Sequence, residues 1–302
     1  MTEGVVIASG GGGYDVLLDD GQTVHAVLRG RVKRQSRVGD QVVIGDRVAV
    51  EEVEAGTGTS WAVEAVRPRD SAIARKGHAE RRPKLIAANV DRMFAVVAAR
   101  DPEPRLTQLD RLLVIAEANR VPATVVVNKV DLPGAVEEAD RIEALYAGIG
   151  YPVLRVSAES GEGLETLREA LSEGTSALIG ASGVGKSSLL NALAPGLALR
   201  TGELSRRVRR GRHTTVRSRL LRLPFGGLVA DTPGFGDVGV WGVPAEEAEE
   251  CFPEILDLRD GCRFRGCAHL KEPGCAVLEG VEAGDVARSR WESYAELRRV
   301  GS

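Results

Sequence analysis

Long apolar segments, aromatic residues and cysteines are all scarce in this sequence of 302 residues. No apolar run reaches the roughly 18–20 residues that a membrane helix requires, and Met1–Gly4 lacks the basic start of a secretion signal. We therefore expect a cytoplasmic protein with no membrane partner. Aromatic residues make up only 4%, so the core has to be mainly Val, Leu, Ile and Ala. Four cysteines are too few for a disulfide scaffold of this length.

The overall charge of the chain excludes few classes of partner. The formal net charge of −3 predicts no nucleic-acid partner by itself, although a balanced total can conceal a local basic patch. Hydrophobic residues at 43% and charged residues at 27% are typical of a globular chain and argue against global disorder. The length predicts two or three compact units, and we expect a monomer.

The first 70 residues alternate apolar and polar positions between glycine and aspartate turns. This pattern predicts five short strands, which are typical of an OB-fold β-barrel over residues 1–70. The predicted strands are Val5–Ala8, Tyr14–Leu18, Thr23–Leu28, Gln41–Val53 and Ala62–Val66.

A basic segment follows the third strand, with cations at Arg29, Arg31, Lys33 and Arg34. It is either a solvated surface turn or a contact to a phosphate backbone, which OB-folds often make from their loops. We favour RNA contact because of the motifs found downstream. Residues 71–88 carry many charges and little periodicity, which predicts a linker.

Strands and helices alternate from residue 89, which predicts an α/β domain with a parallel sheet over residues 89–240. Residues 241–302 break this pattern and are predicted to form a separate metal-binding domain. The predicted strands are Met93–Ala99, Thr124–Val127, Val153–Val156, Ala177–Ile179, Arg217–Leu223 and Leu228–Ala230. The predicted helices are Leu106–Asn119, Val136–Ala147, Leu164–Leu171, Ser187–Ala194 and Ala287–Val300.

A phosphate-binding loop is predicted at Gly180–Ser187, which matches G-x-x-x-x-G-K-[ST] between a strand and a helix. Glycines let successive N–H groups face the phosphates, and the helix N-terminus adds positive potential. Lys186 would neutralise phosphate oxygens during catalysis, and Ser187 would ligate Mg²⁺. The predicted GTP contacts here are Gly180, Ala181, Ser182, Gly183, Val184, Gly185, Lys186, Ser187 and Ser188.

Guanine recognition is predicted by two further motifs at strand ends. In Asn128-Lys129-Val130-Asp131, the Asp131 carboxylate can accept hydrogen bonds from N1–H and N2–H of guanine, a donor pair that adenine lacks. Ser157-Ala158 would place a backbone N–H near guanine O6.

A fourth motif, Asp231-Thr-Pro-Gly234, follows the last strand. Asp231 would hold the Mg²⁺ shell, and the Gly234 N–H would reach the γ-phosphate.

The order of these motifs is unusual. Most GTPases place the P-loop first, followed by D-x-x-G, N-K-x-D and S-A. Here N-K-x-D at 128 and S-A at 157 precede the P-loop at 180 and D-x-x-G at 231. Because a sheet can close in either order when the former termini lie close together, the order predicts a circularly permuted P-loop GTPase domain.

Residues 200–222, where switch I is expected, hold nine arginines against one acid, Glu203. A charged loop is usually a solvated face, but arginine at this density favours phosphate recognition. The candidate RNA contacts are Arg206, Arg207, Arg209, Arg210 and Arg212.

The same segment contains the candidate catalytic residue. Phe235 stands where Ras-like enzymes have the glutamine that orients water, so His213 is the candidate to orient or deprotonate water. The alternative for His213 is a surface histidine that stacks on RNA. Thr214 or Thr215 would ligate Mg²⁺ in the GTP state.

Three thiolates and one imidazole lie close together in Cys262-x4-Cys267-x-His269-x5-Cys275. This set suits one closed, tetrahedral, structural Zn²⁺ site in a reducing compartment. Metal binding would contribute folding free energy that so short a segment lacks. The alternative is a coincidental cluster of free cysteines. Cys251 lies outside the spacing and is expected to be a small packed residue.

Together these motifs resemble the circularly permuted, ribosome small-subunit-dependent GTPases of bacteria. The resemblance covers almost the whole chain. It implies an OB-fold, a permuted GTPase domain and a zinc domain, with GTP hydrolysis stimulated by the small subunit, contact with 16S rRNA and a late role in subunit maturation. It rests on Leu28–Arg31, Ala87–Asp91, Leu109–Arg111, Asn128–Asp131, the P-loop, Arg212–Thr215, Asp231–Phe235, Phe252–Glu254 and Cys262–Cys275.

The resemblance also implies that His213 acts in hydrolysis. Val216 stands where a third threonine often follows, so the choice between Thr214 and Thr215 stays open. Two other functions are weighed against this one. A metal-delivery GTPase would need exchangeable ligands, and a non-catalytic RNA-binding protein would not need Lys186, Ser187 and Asp231.

Overall fold

The computed structural model describes residues 1–10, 12–30, 32, 41–55, 58–75, 84–197, 219–231 and 243–300. The chain divides into two compact units. The first contains Met1–Arg92, Arg168–Leu178 and Ser205–Phe235, and the second contains Met93–Leu167, Ile179–Leu204 and Gly236–Ser302. The predicted division into segments 1–70, 71–88, 89–240 and 241–302 stays a prediction.

A closed five-stranded barrel forms the N-terminal part of the first unit, as the alternating pattern predicts. Its strands are β1 (Thr2–Gly10), β2 (Gly13–Leu18), β3 (Thr23–Leu28), β4 (Arg47–Ala55) and β5 (Gly58–Val66). The strand order is β1-β2-β3-β5-β4, and β4 pairs back onto β1 to close the barrel. Valines pointing inward fill it, because every second residue of a strand faces the same side.

A two-stranded antiparallel sheet occupies part of the predicted linker. It consists of β6 (Ala72–Arg75) and β7 (Lys84–Ala88). The Asn89 side chain, just after β7, donates from Nδ2 to the Gly45 carbonyl at 2.9 Å and accepts from the Asp70 N–H at 2.9 Å. This segment is therefore attached to the barrel by hydrogen bonds, which a charge-rich pattern does not reveal.

Three more strands lie wholly or partly in the first unit. β13 (Leu228–Asp231) runs parallel to the first residues of β11 (Thr175–Gly180) and antiparallel to β12 (Arg219–Arg222). β12 also meets the barrel, where Arg219 pairs with Ala8 of β1. The C-terminal end of the arginine-rich segment, residues 200–222, is thus paired with the barrel.

Parallel strands organise the second unit. β8 (Arg92–Ala98), β9 (Ala123–Asn128) and β10 (Val153–Val156) lie in the order β10-β9-β8. Most β8 and β9 residues are buried, as expected for strands covered on both faces. The helices are α1 (Leu106–Ala118), α2 (Ala135–Gly148), α3 (Leu164–Ala170) and α4 (Lys186–Leu193).

The C-terminal segment shares its core with α1. It contains a 3₁₀ helix at Ala245–Cys251, then α5 (Pro253–Leu256), α6 (Ala276–Ala283) and α7 (Arg288–Val300). Val114 of α1 packs in one buried cluster with residues of this segment, including Cys251. Cys251 is therefore a packed residue, as predicted. None of the helices in the described ranges has the length and apolar character needed to cross a membrane.

Candidate functional site

The P-loop lies between the end of β11 and the start of α4. Its glycines are required by close packing: a Cβ on Gly180 would lie 2.3 Å from the Val96 carbonyl oxygen, and one on Gly185 would lie 2.2 Å from Asn128 Nδ2. Gly183 and Gly185 also have φ of 87° and 97°, a region that favours glycine. The observed loop conformation therefore requires glycine at positions 180 and 185.

Lys186 begins α4 and folds back over the loop. Its Nζ donates to the carbonyls of Gly180 and Ala181, each at 2.8 Å. The ammonium is thus held at the loop where the helix N-terminus already contributes positive potential. Ser187 follows in the first turn of α4 and is half-buried, a position that fits a ligand of a phosphate-bound cation.

Asn128 ends β9 and ties the P-loop to the base-recognition motif. It is buried, and its Nδ2 donates to the Val184 carbonyl at 2.8 Å. Its Oδ1 is buried without a hydrogen-bond partner among the described residues. A buried, unpaired amide oxygen is costly, so a bound ligand that brings a donor would relieve it.

Asp131 is held by the second predicted base motif. The Ser157 hydroxyl donates to Asp131 Oδ1 at 2.5 Å and accepts from the N–H groups of Glu159 and Ser160 at 3.1 and 2.9 Å. Ser157 is fully buried, whereas Asp131 is exposed. The structure therefore presents an oriented carboxylate to solvent, and Ala158 follows the serine that orients it.

The loop after β8 also belongs to this site, although no motif predicts it. Lys129 Nζ donates to the backbone carbonyl of Asp101, and Pro102 lies 3.7 Å from where a Cβ on Gly183 would stand. The sequence could have indicated this loop only by its position, because it follows the end of β8 and the carboxyl ends of parallel strands meet at one edge of a sheet.

Other predicted nucleotide residues are placed less completely. Asp231 ends β13 in the first unit, and its side chain lies outside the described set. His213, Thr214, Thr215 and Gly234 also lie outside the described residues. The structure thus brings Asn128 and Lys129 to the P-loop and Ser157 to Asp131, with Ala158 next to Ser157 in the chain.

Of the predicted RNA contacts, only Arg29 is described. Its guanidinium forms ion pairs with Glu64 and with Glu51, the latter at 3.4 Å. To contact RNA, the Arg29 guanidinium would thus have to leave these carboxylates and pair with a phosphate instead. The remaining candidates, Arg31, Lys33, Arg34, Arg206, Arg207, Arg209, Arg210 and Arg212, lie outside the described residues.

The cysteine and histidine side chains of the C-terminal segment converge. The ligand atoms of Cys262, Cys267, His269 and Cys275 all lie within 4.8 Å of one another. His269 Nδ1 is 3.3 Å from Cys275 Sγ and 3.5 Å from Cys262 Sγ. Burial raises the pKa of the Cys267 thiol to about 12. Three sulfurs and one nitrogen at these separations could hold a metal ion.

A carboxylate supports the histidine from outside this cluster. Glu249 Oε2 lies 3.3 Å from His269 Nε2, and Arg259 donates to Glu249 Oε1 at 3.1 Å. This contact fixes which ring nitrogen faces the sulfurs, as carboxylates commonly do beside metal-bound histidines. Trp291 Nε1 donates to the His269 carbonyl at 2.8 Å. Glu249 lies outside the cysteine spacing, so the motif does not predict it.

Glu272 holds the backbone on both sides of His269. Its carboxylate accepts hydrogen bonds from the N–H groups of Lys271, Leu270 and Ala268, at 3.0, 2.9 and 3.3 Å. Burial raises the pKa of this carboxyl, but the backbone hydrogen bonds outweigh it and lower the pKa to about 2. The turn is thus held by an ionised side chain at neutral pH.

Comparison with known proteins gives consistent similarities over the whole chain. A family model described as RsgA GTPase matches residues 66–241. The Small ribosomal subunit biogenesis GTPase RsgA of Gemmatimonas aurantiaca is 46% identical, with 98% of this chain and 96% of the relative covered. The protein of the same name from Moorella thermoacetica is 42% identical over 94% of this chain and 92% of the relative.

Two solved structures are similar as well. The crystal structure of YjeQ from Thermotoga maritima has a TM-score of 0.82 at 34% identity and covers 99% of this chain and 98% of its own. The structure of YloQ, described as a circularly permuted GTPase, has a TM-score of 0.75 at 30% identity, covering 100% of this chain and 95% of its own.

Proposed function

The chain belongs to the RsgA GTPase family, whose members hydrolyse GTP, and we propose that its partner is the small ribosomal subunit during late maturation. The fold prediction of a barrel and a circularly permuted GTPase is confirmed, and the C-terminal segment carries a cysteine and histidine cluster that could hold a metal ion. The observation that carries the GTP-binding part of the proposal is that Asn128 is hydrogen-bonded to the P-loop while Ser157 holds the Asp131 carboxylate of the same motif. A small-subunit partner would also place the protein in the cytoplasm.

Guanine recognition is assigned to the Asp131 carboxylate, which Ser157 orients. Asp131 accepts from N1–H and N2–H of guanine, while Ser157 fixes its orientation and the Ala158 N–H reaches O6. ATP is rejected because adenine would leave the Asp131 carboxylate unpaired. Lys129 and Asn128 hold the neighbouring loops in place.

Phosphate binding and hydrolysis are assigned to the P-loop and the two switch segments. Loop N–H groups and Lys186 bind the phosphates, and the Gly234 N–H binds the γ-phosphate. When bound, Mg²⁺ neutralises phosphate charge, and Ser187, Asp231 and Thr214 or Thr215 would hold it. His213 orients the attacking water, since Phe235 cannot.

We assign one structural Zn²⁺ to the cysteine cluster. The donor set of three sulfurs and one imidazole nitrogen fits tetrahedral zinc and leaves no open position. His269 and Cys275 are 1% and 2% exposed. Ligands so deeply buried do not suit a metal-delivery GTPase, which would need to release its ion.

The RNA part of the proposal concerns 16S rRNA. The arginines at 206–212 and the basic loop at 29–34 would bind its phosphates, and binding there would promote GTP hydrolysis. Hydrolysis would then release the protein from the subunit. Support comes from the names of the relatives and from β12, which links the arginine-rich segment to the barrel.

Co-sedimentation tests this function. Purified protein is mixed with small or with large ribosomal subunits, in the presence of a non-hydrolysable GTP analogue or of GDP. We expect binding to small subunits with the analogue, weaker binding with GDP, and little binding to large subunits. Equal binding to both subunits in both nucleotide states would contradict the proposal.

A further inference from the structure

The loop between the first two cysteines of the metal cluster projects an aromatic side chain into solvent. We name Arg263–Gly266 the cysteine-loop tip. All four of its residues are exposed, and the Phe264 side chain is 48% exposed. In a chain with only 4% aromatic residues, a phenylalanine at such a position is not needed for the core.

The tip is held in place rather than loose. Cys262 and Cys267, at its two ends, belong to the metal cluster. The Arg263 N–H donates to the Gly274 carbonyl at 2.9 Å, which joins the tip to the segment before Cys275. The Arg263 guanidinium carbon lies 5.4 Å from the centre of the Phe264 ring, within the range of a cation–π contact. One side of the ring is thus occupied by a cation.

The charge around the tip is positive. Arg263, Arg265 and Lys271 are exposed, and none of them is ion-paired with a carboxylate in the described part of the chain. Two acids lie close in sequence. Asp260 is 97% exposed and lies 3.7 Å from Arg259, and the Glu272 carboxylate accepts backbone hydrogen bonds. Arg265 and Lys271 therefore remain available to an anionic partner, while Arg263 lies over the Phe264 ring.

We infer that the cysteine-loop tip is a stacking site for an unpaired RNA base, with the base on the face of the Phe264 ring that Arg263 leaves open, and with Arg265 and Lys271 on the flanking phosphates. An aromatic face with adjacent cations is the arrangement by which proteins bind unstacked nucleotides. A double helix offers no free base face, so the partner is a loop, bulge or single-stranded segment. This inference rests on the proposed function, because it names which part of the subunit RNA the metal-binding segment contacts.

A protein partner fits these features less well. An aromatic anchor for a protein usually enters an apolar pocket and is surrounded by other apolar side chains. Here the neighbours of Phe264 in the tip are two arginines and a glycine. Charge complementarity favours a polyanion.

Three variants test the inference. Phe264→Ala removes the ring, Phe264→Trp keeps a stacking surface and adds a fluorophore, and Val136→Ala is the matched control. Val136 is another exposed apolar side chain of the second unit, 55% exposed, and glutamates follow it in the chain. Metal content is measured for each variant, because an intact cluster shows that the tip is still folded.

Binding to small subunits, to deproteinised 16S rRNA and to a short single-stranded oligoribonucleotide is then measured. Stacking of one base predicts that Phe264→Ala weakens binding about tenfold, within the roughly five- to hundredfold range for such sites. Val136→Ala and Phe264→Trp should bind like the original protein. RNA should quench the fluorescence that Phe264→Trp adds to that of the three native tryptophans, and Arg265→Gln should lower the salt dependence of binding.

Unchanged binding by Phe264→Ala, with intact metal content, would overturn the inference. Loss of subunit binding without loss of RNA binding, and without quenching, would also overturn it in favour of a ribosomal protein as partner. Failure of the original protein to bind small subunits would instead contradict the proposed function. The two failures are therefore distinguishable.

Discussion

Arg290 is the most informative residue for testing how the C-terminal segment is joined to the GTPase helices. It lies in α7 with 0% of its side chain exposed. It donates to Asp110 of α1 at 2.8 Å and to both carboxylate oxygens of Glu254 at 2.6 and 3.2 Å. Burial lowers the pKa of Arg290, but Asp110 and Glu254 outweigh burial and raise it. The guanidinium is thus charged between two buried carboxylates.

Replacing Arg290 with Met should destabilise the protein strongly. Loss of one partner of a buried ion pair costs about 3–5 kcal/mol, because the other partner stays buried and uncompensated. Asp110 keeps hydroxyl donors from Tyr146 and Ser293 at 2.7 and 2.6 Å. Glu254 loses both bonds to Arg290. We therefore expect the lower part of that range, a decrease of about 3–4 kcal/mol in the free energy of unfolding.

Urea unfolding followed by tryptophan fluorescence, at saturating metal, gives this free energy. Arg288→Met is the matched control, because Arg288 is exposed on the same helix and should change stability by less than about 0.5 kcal/mol. Adding Asp110→Asn and Glu254→Gln to Arg290→Met removes the uncompensated charges and should restore more than half of the loss. A loss under about 1 kcal/mol for Arg290→Met would refute the reasoning.

Three further predictions concern the nucleotide and metal sites. Ser157→Ala should weaken GTP binding about tenfold, since Asp131 loses a charge-assisted hydrogen bond, as measured with a fluorescent GTP analogue; unchanged affinity would count against the orienting role. His213→Ala should leave GTP affinity intact and lower subunit-stimulated turnover about 100-fold in a phosphate-release assay, whereas normal turnover would favour RNA stacking by His213. Glu249→Gln should weaken metal binding at least about tenfold in a chelator titration, and Glu250→Gln is the control that should bind metal normally. Equal metal affinity in the two variants would exclude a role of Glu249 in holding His269 for metal binding.

The sequence predicts much of the fold because its signals are local. Valine-rich runs in β8 and β9 mark strands that are buried on both faces, and glycine with lysine at 185 and 186 marks a loop that opens a helix. Motifs that follow strands are predicted to lie together at one edge of the sheet, because parallel strands end on the same side, and this requires no knowledge of long-range contacts. The alternation at residues 1–70 predicts the barrel for the same reason.

Contacts between distant residues could not be predicted in this way. Asp110 and Arg290 are 180 positions apart, and only packing brings them together. Asp101 contributes a backbone carbonyl, which no side-chain motif reveals. Glu249 supports His269 from a 3₁₀ helix outside the cysteine spacing. The pairing of Arg29 with Glu51 and Glu64 likewise depends on strand register, so a basic loop in the sequence need not offer every cation to RNA.

GTP hydrolysis by the purified protein, with and without small ribosomal subunits, tests the central claim most directly. The measurement is made at low and at high salt, about 50 and 200 mM, because phosphate contacts weaken steeply over this range. The account predicts slow hydrolysis alone, strong stimulation by subunits at low salt, and loss of that stimulation at high salt. Equal, slow hydrolysis with and without subunits would contradict it.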